Sequence, residues 1–217
     1  MKRLLDIHSH RRAPYPEGII SCTADDFNPL EGQRYSVGLH PWYLPPTPDG
    51  VEEKAKLLAE VARREDVKAI GEAGFDSVRG GAMMLQSLAF RRQVDLSESF
   101  EKPLVIHCVK TTDMVTGWRK QSGARQPWIV HGFRGKPTVA TMLLKAGCFL
   151  SFGAQYNPLA LKMVPPEAYF AETDESQLSI EEIIRLHSEV RQEDMLPIVT
   201  ANMERLFGEE TINNCIL

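Results

Sequence analysis

Residues 4–10 of this chain, Leu4-Leu5-Asp6-Ile7-His8-Ser9-His10, form a short apolar run that ends in two histidines. Three further apolar, strand-like runs end in a histidine, and two others end in carboxylates. These ends lie at His40, His107, His131, Glu72 and Glu172-Thr173-Asp174. Ligand-type side chains at successive strand ends are how a parallel barrel builds a metal site. The recurring pattern therefore predicts a parallel barrel that carries a metal centre.

The rest of the chain alternates short apolar runs with amphipathic stretches, which is typical of repeated strand–helix units and of a parallel sheet covered on both faces. Eight candidate strands centre on Leu5, Ile20, Ser36, Ala69, Val105, Ile129, Leu150 and Phe170. Apolar periodicity predicts helices over 51–64, 83–99, 113–121, 136–146 and 180–191. His187 lies in the last of these, and we expect it on the helix surface.

Bulk composition is that of an ordinary globular protein. With 217 residues, 43% hydrophobic and 25% charged, the sequence predicts a single domain over residues 1–217. The formal charge of -4 excludes a strongly basic nucleic-acid coat but not a nuclease, because bound divalent metals can offset the acids. No apolar run is long enough for a membrane span, and the apolar start is too short for a signal peptide. We therefore expect a cytoplasmic protein with no membrane partner.

The candidate ligands differ in what each can do. His8 and His10 point to one face of an ideal strand, so both imidazoles can grip one ion. Glu72 lies between glycines, and its two oxygens can bridge two cations; a solvated turn glutamate is the alternative. His107 and His131 end apolar runs, where core histidines are the alternative. Asp174 can bind a metal and accept a proton from a metal-bound water, or it can cap the following helix.

The order of these residues resembles that of the amidohydrolase-like metallohydrolases. The sequence around each ligand resembles the TatD family of metal-dependent deoxyribonucleases, and the resemblance spans nearly the whole chain. It is carried by residues 6–10, 37–41, 69–76, 90–93, 102–108, 131–135, 172–174 and 202–208. The fold that this resemblance implies is α/β, a distorted TIM (β/α)8-type barrel.

The resemblance also implies a division of the ligands between two divalent ions. The first ion would be held by His8, His10, Glu72 and Asp174, and the second by the bridging Glu72 with His107 and His131. His40 would touch a substrate phosphate, or cap its own turn. From loop position alone, Arg134 and Lys110 are candidates to steady that phosphate, with solvated loop residues as the alternative.

The identity of the ions is less determined than their ligands. Four imidazoles and two carboxylates favour zinc, manganese, iron or nickel over magnesium, which prefers oxygen ligands. The resemblance implies magnesium instead. The sequence therefore predicts two divalent cations (Zn, Mn, Mg, Fe or Ni).

The function expected from these residues is a two-metal phosphodiesterase acting on DNA, with a metal-activated hydroxide as nucleophile and Asp174 and Glu72 as catalytic groups. Trp42 and Tyr43 could stack bases at the mouth, or pack against the Pro45-Pro46 turn. Trp42 stands where the family usually has a histidine, and the loops after His10 and Asp174 are short. These departures favour an alternative, a small-molecule ester, amide or phosphoester hydrolase. A third hypothesis, a non-catalytic binding protein, is opposed by the complete set of ligands.

Overall fold

The computed structural model describes residues 3–11 and 15–208 and contains a closed barrel of eight parallel strands in chain order. The strands are β1 (Asp6–Ser9), β2 (Gly18–Thr23), β3 (Arg34–Gly38), β4 (Val67–Asp76), β5 (Leu104–Val109), β6 (Trp128–Val130), β7 (Cys148–Phe152) and β8 (Tyr169–Ala171). β8 pairs with β1 and closes the barrel. The predicted strand centres fall inside these strands, except Leu5, which directly precedes β1. The predicted TIM-type barrel in one domain is confirmed, whereas its extent over all of residues 1–217 stays a prediction.

Helices cover the outside of the barrel. They are α1 (Pro48–Ala62), α2 (Met83–Ser99), α3 (Thr112–Gln121), α4 (Pro137–Lys145), α5 (Pro158–Met163), α6 (Ile180–Arg191) and α7 (Met195–Phe207). The five predicted helices correspond to α1–α4 and α6. α5 is too short for apolar periodicity to reveal it, and α7 carries a proline in its first turn, where the missing N–H costs no helical hydrogen bond. Within the described ranges, no helix is both long and apolar enough to cross a membrane.

The start of α1 shows how local sequence sets an element boundary. The proline-rich composition of segment 44–50 predicts a turn throughout, but the helix already begins at Pro48. Proline fits the first helical position because its fixed φ suits a helix and its missing N–H is not needed there. The Thr47 hydroxyl accepts a hydrogen bond from the N–H of Gly50 and caps the helix.

His187 is not on the helix surface, so that prediction was wrong. It is fully buried and follows Ile180, Ile183 and Ile184 on the inner face of α6. Its Nε2 donates to the carbonyl of Gly153 at 3.1 Å, and its Nδ1 accepts from the Tyr169 hydroxyl at 2.6 Å. Both polar atoms are satisfied, which permits burial. The signal lay in the spacing, since residue 187 is seven after Ile180 and continues its stripe.

Candidate metal centre

β4 brings Glu72 to the barrel axis. Its pairing with β5 shifts register between Ile70 and Ala73, as a bulge does, and so re-aims the residues within the shift. Gly71 and Gly74 have φ of 138° and 146°, and a Cβ at either would collide with a carbonyl of β5. Only glycine allows β4 to approach β5 this closely. The glycines flanking Glu72 therefore set the position of its carboxylate.

The two oxygens of Glu72 face different histidines. Oε1 lies 2.5 Å from His107 Nδ1, 2.7 Å from His131 Nε2 and 3.0 Å from His40 Nε2. Oε2 lies 3.4 Å from His8 Nε2 and 3.5 Å from His10 Nε2. Glu72 is itself buried, so this carboxylate is the hub of an enclosed cluster. This arrangement is the one that a bridging carboxylate needs.

Asp174 is anchored to β1 between the first two histidines. Its N–H donates to the carbonyl of His8 at 2.9 Å, and its carbonyl accepts from the N–H of His10 at 3.1 Å. Its Oδ1 lies 3.6 Å from His10 Nε2 and 4.0 Å from His8 Nε2. The alternative helix-capping role was wrong, because Ser179 caps α6. The tertiary fold thus joins three predicted ligands from opposite ends of the chain.

The cluster has the composition and the unmet bonding capacity of a metal site. His8 is fully buried, and neither of its ring nitrogens has a hydrogen-bond partner among the residues that the structure describes. Groups of ligand atoms close enough to share an ion are His8–His10–Glu72, His8–His131–Asp174 and His40–Glu72–His107. Nitrogen and carboxylate donors in such groups suit transition-metal ions. His131 lies beside both sets of ligands, so the expected division between two ions stays a prediction.

Two carboxylates that sequence reasoning gave no role support the histidines from behind. Asp76 Oδ2 lies 3.2 Å from His107 Nε2. Glu172 Oε1 lies 3.7 Å from His131 Nδ1 and accepts a hydrogen bond from the N–H of Gly132 at 2.6 Å. Carboxylates in this position orient metal-binding imidazoles. Their sequence signals were the strand end at Asp76, four residues after Glu72, and the acidic Glu172-Thr173-Asp174 motif.

The electrostatics of the cluster keep the central carboxylate of Glu72 ionised. Burial alone would raise the pKa of Glu72, but the charge of His131 and hydrogen bonds from three histidines hold that pKa well below its usual range. Burial would lower the pKa of His131, but the charge of Glu72 holds it well above the ordinary histidine value. The charge of Glu72 is thus balanced by that of His131, and a bound metal ion would take over this role.

The cluster opens into a cavity of about 1330 Å³, lined also by Trp42, Tyr43, Lys110 and Arg134. His40 Nδ1 accepts a hydrogen bond from the N–H of Trp42 at 3.1 Å, so His40 caps its turn as one alternative expected. The indole N–H of Trp42 donates to Asp76 at 2.6 Å. Tyr43 is 69% exposed. Substrate contacts of His40, Arg134 and Lys110 stay predictions.

Comparison with known proteins places this geometry in a family. A family model described as TatD related DNase matches residues 30–208. Curated relatives include an uncharacterized metal-dependent hydrolase of Buchnera aphidicola, 29% identical over 69% of this chain, and the metal-dependent hydrolase YabD of Bacillus subtilis, 28% identical over 76%. The 3'-5' ssDNA/RNA exonuclease TatD of Yersinia pseudotuberculosis is 31% identical over 54%. The alignments cover 60%, 75% and 44% of these relatives, respectively.

Solved structures share the fold. The crystal structure of YJJV, a TatD homologue from Escherichia coli K12, superposes with a TM-score of 0.73 at 22% identity and covers 88% of this chain and 86% of its own. A TatD family hydrolase from Entamoeba histolytica superposes with a TM-score of 0.74 at 15% identity and covers 95% of this chain and 98% of its own. The family model covers β3 to β8 and every predicted ligand except His8 and His10. Since it matches most of the chain, this chain belongs to the TatD-related DNase family of metal-dependent hydrolases.

Proposed function

We propose that this protein is a two-metal phosphodiesterase that hydrolyses DNA from an end. The observation that carries this proposal is the position of Glu72, whose two oxygens address separate groups of histidines at the floor of an open cavity. A relative named a 3'-5' ssDNA/RNA exonuclease supports the same substrate class. Such a site suits in-line displacement at phosphorus.

The chain supplies the ligands for both ions. His8, His10, Glu72 and Asp174 would hold one, and Glu72, His107 and His131 the other. When bound, divalent cations acidify water and neutralise charge on phosphoryl oxygens. His8, Glu72 and His107 are buried, so these ligands stay fixed as the charge changes during reaction.

Asp174 is the proposed proton acceptor. Its Oδ1 faces the first two histidines, while its Oδ2 lies on the side of Arg134, 3.9 Å from Nη2. The water oxygen would attack phosphorus as its proton passes to Asp174, and the bond from phosphorus to the leaving oxygen would break. His40 and Arg134, which line the cavity, would bind the remaining phosphoryl oxygens.

A second candidate is hydrolysis of a compact phosphoester. The cations of the cavity wall are mostly engaged: Lys54 pairs with Asp25 at 2.5 Å, and Arg134 donates to Gln155 at 2.8 Å. Leu39, Leu44 and Phe133 add apolar lining. A long polyanion usually binds along a track of free lysines and arginines. The small number of free cations thus favours a substrate with one phosphoryl group near the metals.

The test compares an end-labelled single-stranded DNA oligonucleotide with bis(p-nitrophenyl) phosphate, both with added Mn²⁺. Asp174→Asn and a chelator should each lower hydrolysis at least about 100-fold. Glu175→Gln is the matched control and should retain activity. Glu175 lines the same cavity beside Asp174 but belongs to no ligand group formed by the described residues. Stepwise shortening of DNA supports the proposal. Intact DNA with cleavage of the small ester would replace it with the second candidate.

A further inference from the structure

A chain of hydrogen bonds leads from the cavity mouth to one of the predicted ligands of the second ion. The indole Nε1–H of Trp42 donates to Asp76 Oδ2 at 2.6 Å, and the same oxygen lies 3.2 Å from His107 Nε2. The opposite nitrogen of that imidazole, Nδ1, lies 2.5 Å from Glu72 Oε1. Trp42, Asp76 and His107 therefore form a continuous line that ends at the candidate metal centre.

The partners of Asp76 decide which nitrogen of His107 is free. Asp76 Oδ1 accepts from the N–H groups of Val78 and Arg79 at 2.7 and 2.8 Å, and Oδ2 accepts from the indole N–H of Trp42. A carboxylate that accepts from donors at both oxygens is an acceptor towards His107 as well, so His107 Nε2 donates. In a neutral imidazole, Nδ1 then carries a lone pair.

That lone pair faces Glu72 Oε1, which is also a hydrogen-bond acceptor. A lone pair on Nδ1 and an oxygen of an ionised Glu72, 2.5 Å apart, repel each other unless a cation lies between or beside them. A divalent ion bound at Nδ1 would meet this need. The hydrogen bond from His107 to Asp76 therefore presents Nδ1 as the ligand atom.

Trp42 is rigid enough to hold Asp76 in this orientation. The guanidinium of Arg79 lies 3.5 Å from the centre of its ring, and the ring of His40 packs edge-on at 4.7 Å. The Asp76 backbone is tied down in turn by Gln86, whose amide oxygen accepts from its N–H at 2.8 Å. Every group around Oδ2 is thus fixed by packing or by hydrogen bonds.

We propose that Asp76 and Trp42 are positioning residues that select His107 Nδ1 as a ligand and thereby set the affinity of the second ion. This inference rests on the proposed two-metal site, although not on DNA as the substrate. The Trp42 ring centre lies 5.6 Å from that of His107, so its fluorescence should report occupation of the second site by a paramagnetic ion.

The test is a titration of the metal-free protein with Mn²⁺, in which the free ion is counted by electron paramagnetic resonance and tryptophan fluorescence is followed in parallel. The wild type should bind two ions. Asp76→Asn should lower the affinity for the second ion by about 10- to 100-fold and leave the affinity for the first ion unchanged. Trp42→Phe, which keeps a ring beside Arg79 but loses the N–H, should weaken the second ion less than Asp76→Asn and abolish the fluorescence response.

Trp118→Phe is the matched control. Trp118 lies in α3, packs on Phe90 of α2 and does not line the cavity. This substitution should change neither the affinity for either ion nor the fluorescence response. Unchanged second-ion affinity in Trp42→Phe and Asp76→Asn would overturn the inference. An equal loss of affinity for both ions, together with a lower melting temperature of the metal-free protein, would also overturn it, because that result indicates a structural role. If the second ion weakens selectively in a protein that does not cleave DNA, the inference stands while the proposed substrate falls.

Discussion

The imidazole of His187 is a buried titratable group, and burial lowers its pKa to about 4. The folded-state pKa lies below the unfolded value near 6.5, so protonation opposes folding. The stabilising effect of the neutral ring is complete above pH 6.5 and is lost as the pH falls towards 4. Between pH 6.5 and 5 this residue should reduce the free energy of unfolding by about 2 kcal/mol.

Urea unfolding of the wild type and His187→Gln across this pH range measures that loss. Burial also raises the pKa of Asp6 to about 7, which stabilises the fold as the pH falls, so only the difference between the two proteins isolates His187. The glutamine variant should lose less stability than the wild type on acidification. Parallel pH profiles for the two proteins would contradict this prediction.

At the scale of elements, backbone and side-chain hydrogen bonds together hold the seam between β1 and β8. Its residue pairs are Asp6 with Ala171 and the isolated bridge of Ser9 with Asp174. The buried hydroxyl of Thr173 lies between the two strands, 2.6 Å from Asp6 Oδ2 and 2.8 Å from Ser9 Oγ. Thr173→Val should lower the free energy of unfolding by about 1–3 kcal/mol, because it leaves buried polar atoms without a partner.

The matched control for this change is Thr200→Val. The Thr200 hydroxyl donates to the carbonyl of Leu196 within α7, on a partly exposed helix face. That substitution should shift stability by no more than about 0.5 kcal/mol in chemical denaturation. Equal effects of the two valine variants would remove the special role assigned to the seam.

At the scale of the whole molecule, the candidate ligands come from strand ends all round the barrel. Ions bound there would connect β1, β4, β5, β6 and the residues after β8, and they would bind the folded state in preference to the unfolded chain. At 100 times its dissociation constant a single ion should add about 2.7 kcal/mol to the free energy of unfolding. Thermal unfolding with Zn²⁺ or Mn²⁺ against a chelator measures this as a higher melting temperature.

Glu72→Gln provides the comparison for metal-dependent stability. It keeps the size of the side chain but removes the charge that faces both groups of histidines. The variant should show little of the metal-induced shift, whatever its own melting temperature. A full shift in Glu72→Gln would mean that the stabilising ions bind elsewhere.

Local pattern is enough to predict most of the architecture. Runs of buried apolar residues identify strands, and stripes of 3.6-residue period identify helices, because both depend on near neighbours in the chain. The carboxyl ends of parallel strands share one end of a barrel, so the positions of His8, His107 and His131 at strand ends predict that these side chains meet. The flanking glycines of Glu72 likewise mark its carboxylate as accessible.

The tertiary structure alone decided the partners of these groups. Trp42 and Asp76 are 34 residues apart in the chain, and Glu172 and Gly132 are 40 apart, so no local pattern indicates that they bond. The sequence by itself determined which residues lie at strand ends and on buried faces. Which oxygen of Glu72 meets which histidine, and which carboxylate stands behind His107, depended on strand register and on close packing at the barrel mouth. These arise only when distant segments come together.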